Sequence, residues 1–341
     1  MKRILFVGEG TVSDAVRLQL PAVELTRIGD TEVSYLKLNY RNETPKAEPG
    51  ADAVVFSRPH YDSLLVSYKR QGIPVIVDMD DDFHSIPPEH PGYNHVGRGD
   101  PVYLERLENC LYLADLLIVT TEELKTRLSQ FNSNITIIPN GWDSSNWLWR
   151  AKRRIVRDRL TIGWGGTITH RQDFEMAVGP LKTIIRKNKN VVLVMAGDYE
   201  IYNIFRSVPE DQKMFLPMVS YDTYPYLLSH FDIMLAPLLN NEFNRAKSDI
   251  KLVDAGARNI PFIASDMPVY SDWTAGGLLV KDDEWYEALD KYLRWPELRK
   301  HDGDAGRKLA AKREFSILGD LWNTAINSAI AAKREEILTP E

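Results

Sequence analysis

The chain has 341 residues, of which 44% are hydrophobic and 26% are charged, and its net charge is −6. These values are typical of a globular protein and not of a disordered or membrane protein, and the length favours two domains although it also allows a single large one. The acidic excess argues against nucleic-acid binding over the whole surface, and the single cysteine excludes an intramolecular disulfide.

Targeting and membrane signals are not predicted. The basic residues 1–3 precede an apolar run that ends at Gly8, which is too short for an export signal. No other stretch approaches the roughly 20 apolar residues that span a bilayer. We therefore expect a cytoplasmic protein without integral membrane association.

In the first part of the chain, short apolar runs alternate with amphipathic stretches. Strands are predicted at residues 4–7, 53–56, 75–77, 116–120 and 135–138. Helical spacing of apolar residues occurs between residues 101 and 117, and a helix is predicted at 122–131. This alternation predicts a parallel sheet covered by helices.

A turn-forming cluster at residues 139–146 and a basic run at 150–159 interrupt the pattern, and a second alternation follows. Its strands are predicted at residues 160–164, 191–196, 233–236 and 262–264, and its helices from about residue 174 and at 224–230 and 250–257. The tail at 285–336 is predicted to be helical, with breaks near Pro296 and around Asp302 and Gly303.

Glycine-bearing loops follow the first strand of each predicted sheet, at residues 8–11 and 163–167. Ligands of open α/β sheets bind beyond the carboxyl ends of strands, where backbone N–H groups face anions. Gly165 and Gly166 would let the backbone approach a diphosphate, and Thr167, His170 and Arg171 add polar groups. The first loop fits a plain turn equally well, and His170 fits a solvated loop residue equally well.

Two further polar clusters lie after predicted strands. In residues 244–254, Lys247, Ser248 and a helix start could bind phosphate, and Asp254 could accept hydrogen bonds from ribose; a capped surface helix explains the cluster equally well. Residues 78–84 contain four aspartates, for which we favour sugar contact or helix capping over a metal site. Arg58 and His60 could share the same rim.

Six segments follow the motif order of a known enzyme family: residues 114–122, 137–143 (similar to the motif IPNGVD), 162–167, 194–198, 232–238 and 254–265. Over nearly its whole length the chain resembles the retaining GT-B glycosyltransferases of the glycogen-synthase-like group, family 4. The resemblance implies an α/β fold of the GT-B type, with two Rossmann-like doubly wound domains facing a cleft and a C-terminal helical tail crossing back.

The same resemblance assigns a role to each part of the chain. Residues 1–145 form the acceptor-side domain, residues 146–314 bind the nucleotide sugar, and residues 315–341 form a helix that packs back on the first domain. The reaction implied is sugar transfer, with retention of configuration, from an NDP-sugar co-substrate to a hydroxyl acceptor, for which a saccharide or glycoside is the default. No other cofactor and no metal is expected.

Individual residues take their roles from the motif positions. The family usually has two glutamates eight positions apart; here the second slot is Asp254, the first is Ala246, and Glu242 is a candidate substitute. Asp80 takes the place of a family histidine. The implied donor-binding residues are Gly10, Gly165, Gly166, Thr167, His170, Arg171, Asp198, Asn244, Lys247, Ser248 and Asp254. The acceptor side has Arg58 and His60, and the catalytic candidates are Asp80, Asp81, His84 and Glu242.

Two alternatives stay open. Basic residues at 150, 152, 153, 154, 157 and 159 follow Trp142, Trp147 and Trp149, a pattern that suits a phosphate backbone and unstacked bases. This favours transfer to hydroxylated bases of DNA, as in phage-type enzymes, although a solvated linker with packed tryptophans also explains it. Ala246 at a glutamate position instead favours a non-catalytic nucleotide-sugar-binding protein.

Overall fold

The two alternations of apolar and amphipathic segments fold into two α/β units. The computed structural model describes residues 1–38, 47, 49–150 and 159–338. The first unit comprises Met1–Gly141, Ala246–Ser248 and Phe315–Glu341, and the second comprises Trp142–Arg245 and Asp249–Glu314. The chain therefore enters the second unit at Trp142 and returns to the first unit twice, once as a short loop and once as the C-terminal helix.

The first unit is built on a parallel sheet, in which the described residues form six strands in the order β2-β1-β3-β4-β5-β6. The strands are β1 (Lys2–Gly8), β2 (Thr31–Lys37), β3 (Ala53–Ser57), β4 (Val75–Met79), β5 (Leu116–Val119) and β6 (Ile135–Ile137). Strands β3, β4 and β5 are almost wholly buried, as expected for strands covered by helices on both faces.

The second unit repeats this plan: its described residues form six parallel strands in the order β12-β11-β10-β7-β8-β9. The strands are β7 (Leu160–Gly166), β8 (Val191–Gly197), β9 (Lys213–Pro217), β10 (Ile233–Ala236), β11 (Phe262–Ser265) and β12 (Gly277–Val280). Along β8, Leu193 and Met195 enter one core cluster while Val194 and Ala196 enter another, so the two faces of the sheet each carry a core.

Helices connect the strands and cover the sheets. Those of the first unit are α1 (Val12–Asp14), α2 (Leu20–Ile28), α3 (Asp62–Arg70), α4 (Pro101–Leu113) and α5 (Glu122–Leu128), with a π-helical turn, Ala15–Gln19, between α1 and α2. Those of the second unit are α6 (Trp147–Arg150), α7 (Arg171–Lys187), α8 (Tyr199–Asn203), α9 (Tyr224–Leu228), α10 (Glu242–Arg245), α11 (Ile250–Ala257), α12 (Trp285–Arg294) and α13 (Pro296–Ala310).

The last helix, α14 (Phe315–Leu338), packs on the first unit, which confirms the predicted return of the tail. Trp322 is fully buried, with its ring 6.3 Å from that of Phe6. The ammonium of Lys2 donates to Asn327 at 2.6 Å, joining the two ends of the chain. None of the described helices has the length and apolar character needed to cross a membrane.

The predicted helix break around Asp302 and Gly303 is wrong, because α13 runs through both residues. A Cβ at Gly303 would lie 2.7 Å from the carbonyl oxygen of Asn259, and one at Gly256 would lie 2.6 Å from that of Gly306. The glycines therefore allow close backbone packing and do not end the helix. The predicted break near Pro296 is confirmed, since α13 begins there.

Candidate functional site

In each unit, the predicted site residues follow strands at the point where the strand order reverses. In the first unit, β1 and β3 are neighbours, and the loops after β1, β3 and β4 carry Gly10, Arg58 and Asp80. In the second unit, β7 and β10 are neighbours, and β7 ends at Gly166. Such reversal points are where open α/β sheets bind their ligands.

The four aspartates at the end of β4 and directly after it do not converge on one point, because each lies against a different cation. The pairs, all within the first unit, are Asp78 with Arg17 at 2.6 Å, Asp80 with Arg58 at 3.6 Å, Asp81 with Lys247 at 3.4 Å and Asp82 with Arg127 at 2.7 Å. Separate pairing offsets part of the mutual repulsion that the sequence suggested, although the charge of Asp80 still raises the pKa of Asp78 and of Asp81. Among the described residues, no group of three or more potential ligands is arranged to hold a metal ion.

The pair Asp78 and Arg17 is buried and holds neighbouring loops in place. Arg17 also donates to the carbonyl oxygen of Ile138 at 2.8 Å and to the amide oxygen of Asn140 at 3.1 Å. Asn140 in turn donates to Ser248 at 2.7 Å. Burial raises the pKa of Asp78 to about 6 although Arg17 opposes this shift. The predicted phosphate ligand Ser248 is thus fixed to a buried ionic network.

Arg58 has a backbone φ of +47°, in the left-handed region that non-glycine residues rarely adopt. Its guanidinium donates to the hydroxyl of Thr11 and lies 3.6 Å from carboxylate oxygens of both Asp14 and Asp80. Burial alone would raise the pKa of Asp80, but Arg58, a hydrogen bond from Ser13 and the charges of Arg17 and Lys247 together outweigh burial, and the pKa is lowered. Such strain persists where surrounding contacts fix the residue, a situation that is frequent at functional sites.

Asp81 lies in a different electrostatic environment from Asp80. Its pKa is raised by burial, and Lys247 only partly opposes the shift. Lys247 belongs to the short loop Ala246–Ser248, which also accepts a hydrogen bond from Thr121 at the carbonyl oxygen of Ala246. The structure therefore brings the predicted phosphate ligand Lys247 next to the predicted catalytic residue Asp81.

The imidazoles of the first unit have distinct surroundings. His84 stacks on Phe131, with ring centroids 4.9 Å apart, and lies between Asp82 and Glu108, whose hydrogen bonds and charges raise its pKa although burial opposes this. His60 lies against the rings of Tyr61 and Tyr103, and burial lowers its pKa to about 4. At neutral pH His60 is therefore uncharged.

The first glycine loop is closed on itself. Gly10 has a φ of +79°, and its N–H donates to the carboxylate of Asp14 at 2.6 Å. Thr11 donates to the same oxygen at 3.0 Å and caps α1. In this structure the N–H groups that would face a phosphate at Gly10 thus serve a buried carboxylate.

The structure corrects the prediction for the second glycine loop, residues 163–167: Gly163–Gly166 form the last part of β7 and pair with β8, so only Thr167 lies beyond the strand. This segment at the carboxyl end of β7 brings small residues and a lysine together. The ammonium of Lys251, on α11, donates to the carbonyl oxygen of Gly165 at 2.6 Å and lies 5.4 Å from the centre of the Trp164 ring. A Cβ at Gly165 would lie 2.8 Å from the hydroxyl of Tyr224, and one at Gly166 would lie 2.7 Å from Trp164. Glycine is therefore required at both positions because Tyr224 and Trp164 pack directly against the backbone; Gly165 is buried and Gly166 is partly exposed.

An aspartate that the sequence reasoning missed organises the rest of this loop region. Asp173 accepts from the backbone N–H of Leu239 at 3.0 Å and from the amide of Asn244 at 2.6 Å, and its other oxygen lies 2.8 Å from His170. The predicted donor-binding residues His170 and Asn244 are thereby joined through one buried carboxylate. Asn244 is itself buried, with its amide directed to protein acceptors.

The remaining predicted residues of the second unit lie around this network. Thr167 shares a hydrogen bond with Thr169, and Asp198 accepts from the N–H groups of Ile168 and Glu200, capping α8. Arg171 is exposed at the first position of α7. Among these residues, Arg171 presents a cation to solvent beside the glycine loop.

Asp254 is a buried acid without a hydrogen-bond donor at one oxygen. The residue is 4% exposed, and its Oδ1 has no hydrogen-bond partner among the described residues. Burial raises its pKa to about 8, although Lys251 one turn earlier opposes the shift. Tyr221 and Tyr224 lie nearby: burial and then the charge of Asp254 raise the pKa of both phenols.

The two positions considered for the absent glutamate differ in exposure. Ala246 is fully buried, whereas Glu242 is exposed at the start of α10. The catalytic assignment of Glu242 stays a prediction.

The tryptophans and basic residues of the predicted nucleic-acid-binding pattern differ in their exposure. Trp142 and Trp149 are buried in a core cluster of the second unit, where Trp142 donates to the carbonyl oxygen of Ala310 at 2.7 Å; Trp147 is 67% exposed. Arg150 is exposed, and Arg159 donates to backbone carbonyls of Asp211 and Lys189. The basic residues 152, 153, 154 and 157 lie outside the described residues. Two of the three tryptophans thus serve packing.

Some contributing residues carry only weak sequence signals. Arg17 is a lone charge in an apolar run, which is a pattern that predicts a buried ion pair once a partner is known. Lys251 stands three residues before Asp254, so the two share a helix face. Asp173 and Tyr224 carry no signal in the sequence, because their roles depend on residues distant along the chain.

The chain is similar in structure to several solved proteins, although its sequence matches no family model and no curated protein. Sucrose-phosphate synthase from Thermosynechococcus elongatus is 15% identical, with a TM-score of 0.73 over 97% of this chain and 100% of that one. Anabaena HepE in complex with UDP and glucose is 13% identical, with a TM-score of 0.70 over 96% of this chain and 100% of that one.

A glycosyltransferase from Rickettsia africae is 12% identical, with a TM-score of 0.65 over 100% of this chain and 99% of that one. These are structures of the GT-B type, and the two parallel six-stranded sheets of the described residues match them. The predicted fold class is therefore confirmed.

Proposed function

We propose that the protein is a glycosyltransferase that moves a sugar from a UDP-sugar to a hydroxyl group of a saccharide or glycoside. Three features support this proposal: the GT-B fold, the ionisable residues at the strand-order reversals of both units, and the similarity to a structure that contains UDP and glucose. Retention of configuration is part of the proposal and rests on the sequence resemblance.

The observation that carries the proposal is the buried carboxyl group of Asp254. A buried polar atom without a partner is unfavourable by about 1–3 kcal/mol, so its persistence calls for a ligand that satisfies it. The ribose of a nucleotide offers two adjacent hydroxyl donors, which match a carboxylate. The positive charge of Lys251, one turn away, lowers the pKa of Asp254 and would favour its charged form once ribose hydroxyls donate hydrogen bonds to it.

The diphosphate of the donor would lie on the glycine loop of the second unit. Gly166, the partly exposed last residue of β7, would present its backbone to phosphate oxygens, and Lys251 and Arg171 would provide positive charge beside it. Negative charge develops on the diphosphate as the sugar leaves, and cations fixed at that position lower the barrier. Asp173 acts as a positioning residue by holding His170 and Asn244.

The acceptor would bind at the carboxyl ends of β1, β3 and β4 in the first unit. Arg58, Asp80 and Asp81 offer both donors and acceptors for sugar hydroxyls, and the uncharged ring of His60 adds a polar group beside them. In this proposal Asp80 stabilises positive charge on the transferred sugar, because Arg58 and the neighbouring groups together keep its carboxylate ionised.

Calorimetric titration with UDP, GDP, ADP and UDP-glucose tests the donor assignment. We expect UDP and UDP-glucose to bind, and Lys251→Met to weaken UDP binding by at least about tenfold, because a charge-assisted contact contributes about 1.5–3 kcal/mol. Lys291→Met, which removes an exposed lysine from α12, is the matched control and should bind as the native protein does.

Turnover then separates transfer from the alternatives. Release of UDP from UDP-glucose that depends on an added saccharide, with the product anomer assigned by NMR, supports a retaining transferase. Binding without turnover across a broad acceptor panel would indicate a nucleotide-sugar-binding protein, and sugar interconversion without an acceptor would indicate an epimerase. Unchanged UDP affinity in Lys251→Met would contradict the donor site itself.

A further inference from the structure

The second unit contains a cavity at the end of its sheet opposite to the glycine loop. The cavity has a volume of about 500 Å³. Its lining includes Asp232, directly before β10, and Pro261, directly before β11, so it lies at the amino ends of these strands. The glycine loop lies at the carboxyl end of β7, and all strands of this sheet are parallel. The cavity is therefore separate from the proposed donor site.

Positive charge dominates the cavity wall. Five cationic side chains line it: Arg150, Arg258, Arg299, Lys300 and Arg307. Asp232 is the one carboxylate among the described lining residues, and one of its oxygens accepts from both the N–H and the hydroxyl of Thr161 at 2.8 Å. Cations grouped in this way repel one another unless an anion lies among them.

Backbone carbonyls hold two of these guanidinium groups in place. Arg307 donates to the carbonyl oxygen of Ala257 and lies 4.5 Å from the centre of the Trp142 ring, and Arg299 donates to the carbonyl oxygen of Tyr292. Carbonyl oxygens orient a guanidinium without cancelling its charge. Burial lowers the pKa of both residues, although the charge of Asp232 opposes the shift at Arg299 and that of Glu314 opposes it at Arg307; the charge of Arg150 adds to the lowering at Arg307.

A second observation comes from an aromatic residue of the wall. Trp149 lines the cavity and is 2% exposed, and its indole N–H has no hydrogen-bond acceptor within the described residues. A buried donor without an acceptor is unfavourable in the same way as an unpaired carboxyl group. That N–H is enclosed by the protein, so the property of the wall that a ligand can meet is its excess of positive charge. Five cationic side chains stand against one described lining carboxylate, although Lys300 also pairs with Asp304 at 2.9 Å, and an oxygen-rich anion would balance this excess.

We propose that this cavity binds a small phosphorylated molecule, either inorganic phosphate or the phosphate group of a sugar phosphate. Arginine presents N–H groups in a fork that matches phosphate oxygens, and such pairs are among the stronger hydrogen bonds in proteins. A volume of about 500 Å³ falls within the range of small-molecule sites. Occupation of the cavity would couple a phosphorylated metabolite to the unit that we assign to the donor.

Calorimetric titration of the full chain with inorganic phosphate, pyrophosphate and glucose 6-phosphate tests the proposal. The test variant is Arg150→Gln combined with Lys300→Gln, because both side chains are exposed and their loss leaves the fold intact. The control is Arg294→Gln, an exposed arginine on α12 paired with Asp290 and outside the cavity. A thermal melt of each variant verifies folding.

We expect at least one phosphate to bind, the test variant to lose about tenfold or more in affinity, and the control to change less than about twofold. The same binding should persist in Lys251→Met, which distinguishes this cavity from the proposed donor site. Equal affinity for inorganic phosphate and glucose 6-phosphate identifies the phosphate alone as ligand, whereas tighter glucose 6-phosphate identifies a recognised sugar.

Three results would overturn the proposal. The first is that none of the three phosphates binds the native chain, and the second is that the test variant binds as tightly as the control. The third is that a single-stranded oligonucleotide binds far more tightly than any small phosphate and is weakened by the same variant. That outcome would indicate that the cavity binds a nucleic acid and not a small phosphorylated molecule.

Discussion

Arg58 combines an unfavourable backbone conformation with a favourable electrostatic role. Its φ of +47° lies in the left-handed region, and its guanidinium lies close to the buried carboxylates of Asp14 and Asp80. Arg58→Ala and Arg58→Gly both remove that charge and should lower the free energy of unfolding by about 3–5 kcal/mol. The glycine variant should lose about 1 kcal/mol less, because glycine adopts positive φ without strain.

Urea denaturation of the two variants and of Arg58→Lys measures these differences. Arg58→Lys keeps the charge and should be the mildest of the three. If alanine and glycine destabilise equally, the backbone at residue 58 is not strained, and the left-handed conformation has no energetic consequence.

Asp254 should give the protein a stability that falls as the pH rises. Its pKa is raised to about 8 in the folded chain by burial, whereas an unfolded aspartate titrates near pH 4. The folded state therefore binds more protons between these values, so the associated stability is fully present below about pH 4 and is lost as the pH rises through about 8. The slope attributable to this residue is at most about 1.4 kcal/mol per pH unit.

Comparison of native protein with Asp254→Asn isolates this effect from other titrating groups. The native free energy of unfolding should decline relative to that of the variant between about pH 5 and about pH 8. Chemical denaturation at several pH values within that window provides the measurement. Parallel curves for the two proteins would mean that the carboxyl of Asp254 is ionised in the folded state.

For single residues, the sequence indicated the position in the fold, but it did not indicate which side chains each residue contacts. Gly165, Gly166 and Asp254 lie in one region of the second unit because each follows or faces the carboxyl end of a strand, a position that local patterning reveals. The pairing of Asp81 with Lys247 joins residues 166 positions apart, and no local pattern encodes it. The sequence therefore could not predict which cation each aspartate contacts.

At the level of elements, α11 and α13 meet through glycine. A Cβ added to Gly256 would lie 2.6 Å from the carbonyl oxygen of Gly306 and 2.9 Å from the Cβ of Ala310. Helix propensity alone predicts that Gly256→Ala gains about 1 kcal/mol of stability. We expect a loss of about 1–3 kcal/mol, because the added methyl group overpacks the contact.

Lys308→Ala provides the comparison for this prediction. Lys308 is exposed on α13, so its replacement tests propensity and surface charge without packing and should change stability by less than about 0.5 kcal/mol. Both variants are measured by urea denaturation. If Gly256→Ala instead raises the free energy of unfolding, α11 and α13 can move apart to accommodate the methyl group, and the prediction is wrong.

For the whole molecule, the first unit depends on the C-terminal helix. Trp322 of α14 is fully buried, with its ring beside Phe6 and the guanidinium of Arg17. Trp322→Ala removes a large buried side chain and should destabilise the first unit by about 3–5 kcal/mol. Leu321→Ala, at the neighbouring exposed position, should have little effect.

Hydrogen exchange resolved by peptide distinguishes the units. We expect Trp322→Ala to accelerate exchange in the sheet of the first unit, while peptides of the second unit, such as those containing β8 and β10, keep their native protection. Equal acceleration in both units would show that they unfold together, and slow exchange throughout would show that α14 contributes little to the first core.

The sequence by itself determined the two alternating α/β patterns, the helical tail and the glycines near the end of β7, because strand alternation and glycine placement depend on residues that are neighbours along the chain. Tertiary structure decided the features that join distant residues. It placed a cation against each aspartate at the end of β4, left Oδ1 of Asp254 buried without a donor among the described residues, and kept α13 continuous through Asp302 and Gly303. Charge compensation and close packing depend on which side chains meet in space, and only the folded chain brings them together.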